Sequence, residues 1–147
     1  MEKQVQSRTK DLAYEVLKQI GCQPHDREEE QIQFEYQGMT FLMEASNDCK
    51  FVSLILPWCH SVSKFDIDEF ARVRQVVNDL NMWGTVTVFY DITDSDDVAV
   101  HIMKHFLFVQ QIPYLDDYLK LMLESFFRTV RSLDIEVEKY RLKECER

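Results

Sequence analysis

The stretch Phe65–Met82, FDIDEFARVRQVVNDLNM, decides how the rest of the chain is arranged. Asp66 is placed to cap the first free amides of a helix, and Glu69 sits where it can reach back to the cap, which is a capping-box pattern. Phe65 just before the cap and Phe70 just inside the helix are spaced to close over its start as a hydrophobic staple. Ile67, Phe70, Val73, Val77 and Leu80 then recur at steps of three and four, with Asp68, Glu69, Arg72, Arg74, Gln75, Asn78 and Asp79 on the other side. One stripe of this helix is apolar and needs a sheet to lie on. Sequence of period two lies on both sides of it, and the longer helical patterns lie outside those strands.

On the N-terminal side, Met1 to about Ile20 predicts a helix, with Val5, Leu12, Val16 and Ile20 on one line, stopped by Gly21 and Pro24. His25 to Gln31 reads as a polar, acidic, solvated loop carrying Glu28, Glu29 and Glu30. From Ile32 the period changes to two: Ile32, Phe34 and Tyr36 form one strand, and Met39, Phe41, Met43 and Ala45 the next, with Gly38 at the turn between them. The third run, Phe51 to Leu56, is nearly all apolar, as suits a central strand, and Pro57 is expected to end its regular pairing.

On the C-terminal side, Gly84 releases the chain into Thr85 to Ile92, the clearest strand pattern in the sequence. Thr93, Asp94, Ser95, Asp96 and Asp97 are turn chemistry, so a hairpin returns through Val98 to about Val109. There Lys104 breaks the apolar parity and suggests a bulge. After Pro113, Leu115, Leu119, Met122, Phe126, Val130, Leu133, Val137 and Tyr140 mark a helix reaching about Cys145. At about 1.5 Å per residue it would run on the order of 45 Å, so its last turns are expected to protrude, bend near Ser132 and Asp134, or meet a second chain. The expected architecture is one α+β domain over residues 1–147, ordered α-β-β-β-α-β-β-α, in which helices pack over an antiparallel sheet of about five strands.

Composition narrows the function classes. The 46% hydrophobic and 12% aromatic fractions support a packed core and exclude a disordered chain. The net charge of -9 repels nucleic acid on balance, so no nucleic-acid partner is expected. Cys22, Cys49, Cys59 and Cys145 show no paired spacing, and no secretory leader or membrane-spanning run is apparent. A reduced, cytoplasmic protein without a membrane partner is the natural expectation.

Catalytic patterns are thin. Gly21, Gly38 and Gly84 are too scattered to write a dinucleotide fingerprint, a phosphate loop or a nucleophile elbow. His101 and His105 would share a metal on a helix, but on a strand they stand roughly 13 Å apart at about 3.3 Å per residue. Cys22 with His25, and Cys59 with His60, lack a second ligand pair at zinc spacing, and a buried thiol is the simpler reading of either cysteine. Adjacent residues on a strand point opposite ways, so Cys59 and His60 make a poor catalytic couple. Asp94, Asp96 and Asp97 lack the glycine and distal glutamate of a calcium loop. No catalytic residue, metal ligand or cofactor is therefore assigned.

Aromatic residues remain. Trp58 and Trp83 each stand beside a chain turn, where they are expected first as plugs at the ends of the core and otherwise as anchors of a protein contact. Phe89, Met103 and Leu107 are either covered by the terminal helices or left as an exposed apolar patch, and His101 and His105 are read as half-buried or surface histidines on a sheet face.

The element order, with the strand Gly84 to Ile92 following the helix Asp66 to Met82, resembles the class I type III secretion chaperone fold and its relatives, the YbjN-like family described as candidate sensory transduction regulators of bacteria. The likeness spans Leu12 to Val137 and carries no sharp motif, so no binding residue is transferred. The resemblance implies an antiparallel sheet under helices, frequent dimers, no catalytic centre and, for the chaperones, capture of an extended protein segment. The long C-terminal helix departs from the chaperone pattern. The expectation is a non-enzymatic protein-binding module, chaperone-like or regulatory, engaging a protein or extended peptide segment through apolar patches or a sheet edge. The candidate contact residues are Trp58, Trp83, Phe89, His101, Met103, His105 and Leu107. A homodimer stays open, and a small metal-dependent or thiol hydrolase is the alternative.

Overall fold

The computed structural model describes residues 8–146. Its elements are α1 (Thr9–Gln19), β1 (His25–Glu28), β2 (Gln31–Tyr36), β3 (Met39–Glu44), β4 (Phe51–Ser63), α2 (Ile67–Trp83), β5 (Thr87–Ile92), β6 (Asp97–Leu107) and α3 (Leu115–Cys145). The fold is α+β, and the antiparallel sheet has six strands in the order β1-β2-β3-β4-β6-β5. The expected helical start at Met1, with Val5 in its stripe, lies outside the described residues. No helix among those described is long and apolar enough to cross a membrane.

The chain forms two compact units. One comprises the residues up to Leu56 together with Lys104–Met122, and the other Pro57–Met103 with the residues from Leu123 onward. In the first, Ala13, Val16 and Leu17 of α1 are buried, as are Ile32, Phe34, Phe41, Met43, Val52 and Leu54 of the strands. Phe34 and Phe41 are register partners, and their rings stack at 5.6 Å with planes 11° apart. The hairpin between them closes through Gln37 at φ 49 and Gly38 at φ 81, the two left-handed residues that match a tight turn to strand twist. Asn47 completes the start of α1 from a distant loop, its Oδ1 accepting the Asp11 N–H at 3.2 Å, because Arg8 supplies no side-chain cap.

β1 corrects the expected loop at His25 to Gln31. All four of its residues are exposed, so no apolar alternation announces it, yet it pairs with β2. Two side chains of α1 tether it: the Tyr14 hydroxyl donates to Asp26, and Lys10 Nζ stands 3.3 Å from the same carboxylate. Burial first, and then the bond to Asp26, push the Tyr14 phenol up to about 12.

In the second unit, Val73, Val76 and Val77 of α2 are buried, as are Val88, Val100, Ile102, Leu123, Phe126, Leu133 and Val137. Asp66 caps α2 as expected, its Oδ1 accepting the Glu69 N–H at 3.2 Å. Glu69 does not reach back. Its carboxylate accepts Arg72 Nη1 at 2.8 Å and Arg141 Nε at 3.0 Å, and the side chain is buried there. The buried side of α2 thus takes in Glu69, Val73, Val76 and Val77, with Glu69 contrary to its expected place on the polar side, and Ile67 is 77% exposed, contrary to the expected stripe. The staple is not closed either: Phe65 is 71% exposed under the Lys64 ammonium, while Phe70 packs edge-on against Tyr90 at 5.5 Å.

Two further expectations change. β4 runs on to Ser63, past Pro57, and the disturbance that proline causes is confined to Trp58, which takes a left-handed φ of 55. α3 is an unbroken helix of 31 residues whose last turns are tied to α2. Tyr140 donates its hydroxyl to Asp79 at 2.7 Å, and Arg72 pairs with Glu144.

Candidate protein-binding site

The strongest candidate surface lies in the second unit, where the end of β4 meets β5 and β6. Phe89 and His101 are opposed in register and their ring centroids are 5.2 Å apart. Directly opposed residues share a sheet face, and alternation sends Tyr90 the other way, toward Phe70 of α2. Phe89 and His101 therefore occupy the face turned away from α2. Asp91 is the diagonal neighbour, its Oδ1 2.6 Å from His101 Nε2.

Pro57 and Trp58 complete the arrangement. Trp58 N–H donates to His101 Nδ1 at 2.9 Å. A backbone amide can only donate, so Nδ1 carries no proton in this geometry, and Nε2 holds the ring proton and gives it to Asp91. Both imidazole nitrogens are thus engaged, and neither is left to act as a base or a metal ligand. The His101–Asp91 couple meets the irregular backbone at Trp58, whose indole is 50% exposed, and Phe89, in ring contact with the same histidine, is 38% exposed. Met103, opposite Thr87 in register, continues this face in a half-buried position.

His105 and Leu107 fall in the other unit. His105 Nδ1 is 2.6 Å from Ser53 Oγ, and the Leu107 carbonyl accepts the Tyr118 hydroxyl at 2.9 Å. The two histidines thus have separate partners. Among the described residues no group of three or more His, Cys, Asp or Glu side chains is arranged to hold a metal ion. In the turn, Asp96 pairs with Lys64 at 2.7 Å and Thr93 N–H donates to the Asp97 carbonyl at 2.8 Å, which makes it a closed hairpin turn.

The favoured reading of the tryptophans as core plugs is overturned. Trp83 is 84% exposed at the end of α2, where it lines a cleft of about 230 Å³ with Leu80, Thr85, Ser125, Arg128 and Ser132. Gly84 follows because a Cβ there would meet the Leu80 carbonyl oxygen at 2.6 Å. Asn81, which sequence reasoning passed over, makes two 2.8 Å bonds to the Val88 backbone, and only its place in the last helical turn before a strand hinted at that.

Cys59 is half-buried, and burial pushes its thiol up to about 12. His60 turns Nδ1 toward Asp134 Oδ1 at 3.7 Å, with Nε2 buried and unpartnered. A thiol is nucleophilic only as the thiolate, so Cys59 is inert near neutrality. Iodoacetamide at pH 8 is expected to label exposed Cys145 while leaving Cys59 unmodified in the folded chain, read by peptide mass spectrometry. Equal labelling of the two would revive a thiol chemistry.

No protein-family model and no curated protein sequence matches the chain. Solved structures do. An uncharacterized protein from Methanothermobacter thermautotrophicus is 11% identical with a TM-score of 0.62, the alignment covering 90% of this chain and 98% of that one. YbjN from E. coli, described as a candidate transcription regulator, is 10% identical with a TM-score of 0.55, covering 89% and 92%. At such identities what is shared is the fold, and this chain has a YbjN-like fold.

Proposed function

We propose that this chain is a non-catalytic protein-binding module, regulatory or chaperone-like, that engages a segment of another protein. The observation that carries the reading is that two exposed aromatic residues, Trp58 and Phe89, both adjoin one histidine whose two nitrogens are already engaged. Large aromatic groups fixed at low entropy cost on a rigid strand are the usual anchors of protein contacts. The likeness to YbjN, itself described as a candidate transcription regulator, favours the regulatory form of this reading. With a net charge of -9, such regulation would run through a protein contact and not through nucleic acid.

A photo-crosslinking amino acid in place of Trp58, activated in cells that naturally make the protein, is expected to give one or a few discrete adducts. The same group at exposed Asp68 is expected to give none. An adduct of twice 17.6 kDa would assign the contact to a second copy of this chain. Indistinguishable patterns at the two positions would remove the reading.

A further inference from the structure

We propose that the free edge of β5 is a gated strand-addition site, at which an extended segment carrying apolar and basic residues displaces the carboxamide of Asn81. The proposal rests on the protein-binding reading and names the kind of partner. Among the described residues β5 ends the sheet, with β6 as its one strand neighbour. In an antiparallel ladder each residue turns its N–H and C=O together toward one side, and alternate residues choose alternate sides. At Val88 both groups go to Asn81: Oδ1 accepts the N–H at 2.8 Å, and Nδ2 donates to the carbonyl at 2.8 Å. A strand residue pairing at this edge would make the same two bonds. The carboxamide is chemically a peptide group, so it occupies the seat of a backbone amide.

By the two-residue period, Tyr90 and Ile92 present their backbone groups to the same edge. An added strand would therefore replace the Asn81 bonds one for one and gain further pairings. The side chains around the edge define its occupant. Phe89 and Ile92 are exposed at 38% and 51%, which asks for apolar residues. Asp94 on the following turn is exposed, and Asp91 on the strand stays exposed although it is bonded to His101, while the nearby Lys64 is already paired with Asp96, which asks for basic ones. The opposite edge suits a partner less: β1 is wholly exposed and polar, with a register shift between Asp26 and Glu28.

The probe is the peptide Lys-Val-Lys-Val-Lys-Val-Lys, titrated into the isotope-labelled chain, with a version N-methylated at every residue as control. The plain peptide is expected to shift the amides of Val88, Tyr90 and Ile92 and the side-chain amide of Asn81, and the methylated one to bind at least tenfold more weakly. Asn81→Ala, which has no bond to give up, is expected to bind the plain peptide about tenfold more tightly. If that variant does not fold, the two peptides on the unaltered chain still decide the matter. Equal binding of both peptides, or no shift at millimolar peptide, overturns the proposal. Shifts confined to Trp58, Phe89 and Met103 overturn it as well, while leaving the broader protein-binding reading in place.

Discussion

Phe34→Ala is expected to cost about 3–5 kcal/mol, the range for truncating a fully buried aromatic side chain. Phe34 is 1% exposed and stacked on its register partner Phe41, so the substitution removes a ring and opens a cavity against a neighbour fixed by the same hairpin. A domain typically holds only about 5–15 kcal/mol in total, and the melting temperature should fall by roughly 10 °C or more. The companion is Phe51→Ala at the start of β4, where the ring is 59% exposed and the loss should stay below about 1 kcal/mol. Calorimetry of the two variants tests the assignment of faces directly. A larger loss for Phe51→Ala than for Phe34→Ala would mean that the buried and open sides of the sheet have been read the wrong way round, and equal losses that the two rings are not differently covered.

That assignment was the part of the fold most legible in the sequence. The alternation of Ile32, Phe34, Phe41 and Met43 with neighbours that are polar except for Leu42 marks the covered face, and the tight turn at Gly38 sets the register between two strands. β1 was illegible for the same physical reason: a strand with both faces in water carries no apolar period, and the bonds from Tyr14 and Lys10 that help to hold it come from a helix elsewhere in the chain. Pro57 was read as a stop because it lacks an amide, but losing one ladder bond need not end a strand when a side chain, here His101, takes up the next N–H.

The candidate site was legible only as a set of residue types. Phe89, His101 and Met103 could be placed on a strand face from their spacing, whereas Trp58 was read only as standing beside a turn, and the engagement of both imidazole nitrogens depends on a left-handed residue that no pattern announces. Asn81 shows the same limit more sharply. An asparagine near a helix end is ordinary, and its meaning appears only once Val88 is seen opposite it. Glu69 is a third case, since the residue that diverts it from the cap stands 72 positions later in the chain.

Glu69→Gln is expected to cost about 2 kcal/mol at pH 7 and almost nothing in strong acid. The carboxylate accepts bonds from Arg141 and Arg72 where its side chain is only 11% exposed, and charge-assisted bonds of this kind contribute about 1.5–3 kcal/mol. Because Arg141 is 44% exposed, solvent screening keeps the loss toward the lower part of that range. Arg141 first, and Arg72 after it, hold the Glu69 carboxyl below its ordinary 4.5. Between that folded value and 4.5 the unfolded chain binds the extra proton. The stabilisation is therefore complete above 4.5 and disappears as pH falls through the lower folded value. Chemical denaturation from pH 7 downward should show the unaltered chain and the variant converging over that window. Hydrogen exchange should show the variant's last α3 turns, around Tyr140 and Arg141, opening sooner. A difference that persists at low pH would mean that Glu69 acts through packing, and that the charges tying α3 to α2 do not decide which side of α2 is buried.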